Sequence, residues 1–294
     1  MLKGIEDYLT SFRDELKCCD SATIQDALAD AEDHLTTAID NQMSDPSEKT
    51  VEEAVKTAIE RYGSPDEVAD HYRVVEQYTT PVLVASKQKY DRNGFAKFFG
   101  IIAEPAAWGA LLYMFLALAT GIIYFTWAVT GLSVSAGLIV LIIGIPLTWL
   151  FFLSFRGIAL IEGRIVESLL GVRMPRRTVF IRKGDGWWGS VKGVFTTRST
   201  WTSLVYLVLM LPLGILYFSV FITLIAVSLG MIADPVLELV FKLPVFDYPD
   251  VWWTSVWLMP FVVITGALLF LSTLHLAKLT GNIHGKLARA MLVS

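Results

Sequence analysis

From Pro105 to Phe155 the chain runs 51 residues without an Asp, Glu, Lys or Arg. A stretch that long without charge is built for lipid. Roughly 20 apolar residues cross the hydrocarbon core of a bilayer, so this run provides two crossings joined by a tight turn. The turn is expected at Thr130-Gly131-Leu132-Ser133, with a first span at about 106–129 and a second at about 135–153. Two more charge-free runs follow, Ser199–Ala233 and Val251–Ala277, and predict spans at about 203–225 and 256–276. Backbone polar groups in lipid must be satisfied within the segment, so all four are expected to be helices. Pro146 and Pro212 fall inside spans, where each predicts a kink.

Charge is divided just as sharply. Residues 1–80 hold 7 Lys/Arg and 19 Asp/Glu, a net of −12, and residues 81–294 hold 17 and 9, a net of +8, which together make the overall −4. Such asymmetry marks two solvents. Expected boundaries are an acidic domain at 1–80, a basic linker at 81–104 and a transmembrane domain at 105–294. The N-terminus carries Lys3, Glu6, Asp7 and Arg13 and no apolar signal core, which predicts a first domain left in the cytoplasm. Basic residues precede span one (Lys87, Lys89, Arg92, Lys97), fill the loop after span two (Arg156 to Arg198) and return in the tail (Lys278, Lys286, Arg289). The loop after span three sets only Lys242 against Asp234, Glu238, Asp247 and Asp250. The positive-inside rule then puts both termini in the cytoplasm.

The acidic domain reads as helices. Ile5, Tyr8, Leu9, Phe12 and Leu16 form one stripe. Asp20 or Ser21 can cap a second helix, whose stripe is Ile24, Leu28, Leu35 and Ile39 with Ala27, Ala31 and Ala38 beside it. Thr50 and Glu53 have the spacing of a capping box for a third. Gly63 then suits the left-handed end of that helix, Ser64 the next N-cap, Pro65 its first position, and Asp66 and Glu67 its first turn. The opening Ile5-Glu6-Asp7-Tyr8-Leu9, the long acidic second helix and the closing Tyr62-Gly63-Ser64-Pro65-Asp66-Glu67-Val68-Ala69 resemble the HAAS domain of bacteria over about residues 1–75. That resemblance implies a short all-helical signalling module tied to membrane segments. Cys18-Cys19 stands where that family commonly has a Leu-Pro turn. Adjacent thiols make a poor staple, so free thiols in a reducing cytoplasm are expected, with a redox switch as the other reading. Asp30 and His34 are one turn apart and could chelate, but a solvated face is the expected role.

The membrane half carries an internal echo. Leu111, Tyr113, Leu116, Leu118, Gly121, Ile122, Tyr124 and Phe125 recur 93 residues later as Leu204, Tyr206, Leu209, Leu211, Gly214, Ile215, Tyr217 and Phe218. Phe152, Leu153, Ser154, Ala159, Gly163, Ile165 and Leu169 recur 118 residues later as Phe270, Leu271, Ser272, Ala277, Gly281, Ile283 and Leu287. The expected fold class is therefore all-α: a small cytoplasmic helical domain, then a four-helix transmembrane domain of two parallel two-span repeats. Each repeat ends in an amphipathic segment, Phe155–Gly171 or Thr273–Met291, expected to lie along the inner leaflet. Trp187 and Trp188 suit the headgroup zone. Residues 105–292 resemble the putative sensor domain of bacteria, which pairs two membrane hairpins with an Ala-Arg-x-x-Ala-x-x-Glu-Arg type helix. Arg156 and Glu162 match that helix, Gly163 interrupts its Glu-Arg step, and the second copy lacks both charges. The resemblance implies a sensing role.

No HExxH, CxxC, GxSxG or Walker A pattern is present, so no enzyme chemistry, cofactor or metal is expected. The expected function is a signalling membrane protein that relays a membrane or extracytoplasmic stimulus to a cytoplasmic protein. The resemblance to HAAS proteins makes a PadR-like transcription regulator the candidate partner. A domain at −12 argues against direct nucleic-acid binding. The basic inner rim allows anionic lipid as a second partner. A transporter or channel subunit is the alternative, with the absence of Asp, Glu, Lys and Arg from the spans against it. Two places could receive the input. One is the outer loop Asp234–Thr254, with Asp247, Tyr248, Asp250, Trp252 and Trp253, whose aromatics otherwise serve as interface anchors. The other is the groove between the repeats, where Tyr113, Tyr124, Tyr206 and Tyr217 would face one another if the units pack symmetrically. They also fit as core or interfacial aromatics, and His275 reads as interfacial.

Overall fold

The computed structural model describes residues 2–43, 50–78, 98–138, 144–175, 198–241 and 259–293. Among them the chain is all helix. Four helices build the N-terminal domain: α1 (Leu2–Glu15), α2 (Ser21–Met43), α3 (Val51–Tyr62) and α4 (Pro65–Tyr78). Four longer ones follow: α5 (Pro105–Leu138), α6 (Gly144–Leu170), α7 (Arg198–Val236) and α8 (Met259–Leu292).

The N-terminal helices close over the predicted stripe. Ile5, Tyr8, Phe12 and Leu16 are buried against Ala27, Ala31, Leu35 and Ile39 of α2 and Ala54, Val55 and Ala58 of α3. The alanines let the helices approach closely, and Phe12 fills the space between them. Asp20 caps α2 by accepting from Ala22 N at 2.9 Å. Thr50 and Glu53 form both halves of their capping box. Gly63 ends α3 at φ 112° and ψ 168°, outside the left-handed helical well but still open only to glycine. Tyr8 donates to the Gly63 carbonyl at 3.0 Å, so α1 fastens the α3–α4 joint. Burial pushes the Tyr8 hydroxyl up to about 12.

Three of the long helices, α5, α7 and α8, are long and apolar enough to cross a membrane. The turn expected at Thr130–Ser133 is absent: α5 continues to Leu138. Its cause is side-chain size. A Cβ on Gly131 would occupy the position of the Phe151 ring, so Gly131 is a notch that seats α6. In an apolar solvent a small residue brings helices together more readily than it breaks one. Of the second span expected at 135–153, residues 135–138 belong to α5, residues 139–143 lie outside the described ones, and α6 begins at Gly144. Pro146 lies in the first turn of α6, where its missing N–H leaves no gap in the ladder. Pro212 lies inside α7, as expected.

The amphipathic segments are not separate elements. Residues 155–170 and Thr273–Met291 continue α6 and α8 without a break, and Gly171 stands just past the end of α6 at φ 69°. Their apolar and small residues face the bundle, where Phe155, Val166, Ala277, Gly281 and Ala288 are buried. A helix already satisfied on that face gains nothing by turning onto a leaflet.

Helices α5 and α7 cross where both carry glycine. A Cβ on Gly121 would lie 2.6 Å from the Met210 carbonyl oxygen, and one on Gly214 would strike the Ala117 carbonyl. Residues 117 and 210, like 121 and 214, are 93 apart. The backbones touch at a point that any side chain would force open.

Candidate functional site

Six polar side chains meet inside this bundle, and each of its helices contributes. Tyr113 and Tyr124 come from α5, Glu162 from α6, Tyr206 and Tyr217 from α7, and His284 from α8. Glu162 and His284 are fully buried at 0% exposure, and so is Tyr206. Helical spacing explains their direction. Glu162 lies on the face of Phe155, Gly163 and Val166, and His284 on the face of Ala277, Gly281 and Ala288.

The carboxylate of Glu162 accepts three hydrogen bonds. Tyr113 donates to Oε1 at 2.6 Å, Tyr206 to Oε1 at 3.1 Å and Tyr124 to Oε2 at 2.9 Å. His284 sits on the other side of two of those phenols. Its Nε2 is 2.7 Å from the Tyr113 hydroxyl and 3.0 Å from that of Tyr206, while Nδ1 is 3.2 Å from the Tyr217 hydroxyl. The imidazole also packs against the rings, with centroid separations of 5.0 Å to Tyr113, 5.6 Å to Tyr217 and 5.9 Å to Tyr206. A buried carboxylate is costly unless its lone pairs are used, and three phenols use them here.

A second constellation joins this bundle to the N-terminal domain. Arg289, five residues beyond His284 on α8, pairs with Asp20 Oδ1 at 2.8 Å and donates to Ser21 Oγ at 3.0 Å. Asp20 thus caps α2 and accepts from α8 at once. Its backbone N–H donates to Glu76 of α4 at 2.8 Å, and Thr23 donates to the same oxygen at 3.2 Å. Burial alone would raise the Glu76 carboxyl, but hydrogen bonds from Asp20, Cys19 and Thr23 and the charge of Arg173 hold it below the ordinary carboxylate range.

All four tyrosines expected in the inter-repeat groove converge in the cluster. The sequence reading missed what they converge on. Glu162 was visible only as a matched family residue and His284 not at all. A signal existed: each is a lone ionisable residue at helical spacing among small buried ones. The other candidates fall elsewhere. Asp30 accepts from Tyr72 at 2.8 Å while His34 packs on Tyr62, so each has its own partner. His275 reaches the Phe98 carbonyl at 3.2 Å and stacks on that ring, tying α8 to the approach to α5. Cys18 and Cys19 are free thiols. Asp247, Tyr248, Asp250, Trp252 and Trp253, and also Trp187 and Trp188, lie outside the described residues.

Comparison with known families agrees with this architecture. The family model described as Putative sensor matches residues 113–292, the span of the whole cluster. The chain belongs to the Putative sensor family. A second model, HAAS, matches residues 7–70. No curated protein and no solved structure matches the chain. This Putative sensor family member is a membrane protein of the sensor and signalling class, with a HAAS domain ahead of its apolar helices.

Proposed function

We propose that this chain is a non-enzymatic signalling protein of the bacterial inner membrane, in which a change in the membrane half reaches a cytoplasmic protein through residues 1–80. One observation carries the reading. Helix α8 places His284 in the buried cluster and Arg289 on the first turn of α2. A shift of α8 therefore acts on both.

In this reading the domains divide at the basic linker 81–104, and all four long helices cross the membrane. At 27 residues and 1.5 Å per residue, α6 is about 40 Å long, enough to span it. Both termini are cytoplasmic, following the basic segments. The bundle is two parallel two-span units, supported by the paired tyrosines and by the reciprocal glycine contacts 93 residues apart. The output partner is a cytoplasmic protein with a basic surface, and a PadR-like transcription regulator fits through the HAAS match. The basic segments also suit anionic lipid headgroups.

The test is capture from native membranes, comparing the full chain with one lacking residues 1–80. A regulator held only by the full chain supports the relay. Equal capture by both would sink it.

A second reading has an observation in its favour. Glu162 and His284 bring ionisable groups into the bundle that the charge-free runs had argued against, and such groups often mark a transport path. Reconstituted vesicles carrying the chain would then acidify under an imposed gradient, and Glu162→Gln would stop the flux. Wild-type vesicles as tight as empty ones rule proton transport out.

A further inference from the structure

The hydrogen atoms of the cluster can be counted. Each phenol has one proton to give. Tyr113, Tyr124 and Tyr206 spend theirs on the Glu162 carboxylate. The oxygens of Tyr113 and Tyr206 are then free only to accept, so the proton of a neutral His284 must sit on Nε2, which faces both. Nδ1 is left as an acceptor, and Tyr217 donates to it. Every contact is satisfied, but the cluster holds one uncompensated negative charge away from water, an expensive state.

One more proton removes that charge. We propose that the cluster is a proton-binding site, in which Glu162 and His284, bridged by the hydroxyls of Tyr113 and Tyr206, take up a single proton between them. It enters at Nδ1 and gives an imidazolium facing a carboxylate. The bridge lets it redistribute: Nε2–H breaks as a new O–H forms on Tyr113, and the former Tyr113 proton passes to Glu162 Oε1. The products are a neutral carboxylic acid and a neutral imidazole, with no electron transferred. In either form Nδ1 carries a proton, so Tyr217 changes from donor to acceptor. The pair titrates as a unit.

The groups facing the pair are named by element. They are Tyr113 and Tyr124 on α5, Tyr206 and Tyr217 on α7, and Glu162 and His284 themselves on α6 and α8. Among charged residues further along these helices, Lys286 is exposed on α8 and three others are paired. Arg164 pairs with Glu167, Lys278 with Glu104 and Arg289 with Asp20. Arg156 lies six residues before Glu162 and also interacts within the fold.

The site deepens the sensor reading by making the proton its stimulus, and it rests on that reading for this meaning alone. The experiment is 15N NMR of histidine-labelled full chain in lipid nanodiscs, between about pH 5 and about pH 9. The chain has four histidines, and the His284 signals are the ones displaced by Tyr217→Phe. The expected result is one step in which Nδ1 of His284 changes from the bare to the protonated shift. Glu162→Gln, which keeps shape and most hydrogen bonds but loses the charge, should move that step about tenfold or more in proton concentration towards acid. An Nδ1 signal unchanged across the range overturns the proposal, as does a step indifferent to Glu162→Gln. Should Glu162→Gln fail to fold, the wild-type titration decides. Partner capture at both ends of the range separates the two claims. A titrating cluster with pH-independent capture supports the proton site and overturns the proton as the stimulus of the relay, while the relay itself stands or falls by the comparison with the chain lacking residues 1–80.

Discussion

Cys18 and Cys19 are neighbours in sequence with different surroundings. Cys18 is exposed, while burial and a hydrogen bond with Glu76 push the Cys19 thiol up to about 12. The thiolate is the reactive form, so at neutral pH iodoacetamide should modify Cys18 well before Cys19, as read by peptide mass spectrometry. Comparable rates would mean that Glu76 does not hold Cys19. Glu76 itself makes a second prediction. Its carboxyl is depressed in the fold, so the stability it contributes is complete above the unfolded carboxylate range and is lost as pH falls through the folded value. Glu76→Gln should therefore flatten the acid limb of the unfolding curve between about pH 3 and about pH 5. An unchanged acid limb would assign the loss to other carboxylates. In the core, Phe12→Ala should cost about 3–5 kcal/mol, because four helices close around one ring.

Among the elements, the α5–α7 crossing separates two roles of glycine. Gly121→Ala and Gly214→Ala each aim a methyl at a backbone carbonyl and should lower the melting temperature of the purified chain. Gly137 is also in α5, with open space around its Cβ position, and Gly137→Ala should be neutral or stabilise by up to about 1 kcal/mol. Equal effects at all three positions would show that the crossing is not tight. The same helix shows what sequence can and cannot reveal. The caps and stripes of the N-terminal helices were legible because they act locally, as at Thr50 and Glu53, although Gly63 ends α3 outside the left-handed well expected for it. The end of α5 was not legible, because Gly131 reads as a turn in isolation and its role depends on where Phe151 of another helix arrives. The same holds for the cluster: four tyrosines announced themselves by recurrence, whereas Glu162 and His284 are 122 residues apart and do not occupy equivalent positions.

At the scale of the whole molecule, the Asp20–Arg289 pair is one of the contacts that join the two halves among the described residues. The Asp20–Arg289 pair is partly exposed, and such pairs contribute about 0.2–1 kcal/mol. Docking this weak is easily reversed. In full chain labelled at Cys18 and at a Leu279→Cys site, Arg289→Ala should broaden the electron–electron distance distribution and raise its mean. A distribution identical to wild type would show that other contacts hold the domain.

The glycine crossing bears on how such a molecule could move at all. With main chain against main chain, nothing between α5 and α7 can be compressed. The contact is therefore a fulcrum, and rotation about it swings the opposite ends of a helix in opposite directions. Arms on either side need not change length or unwind for a small displacement at one membrane face to emerge at the other with its sense inverted.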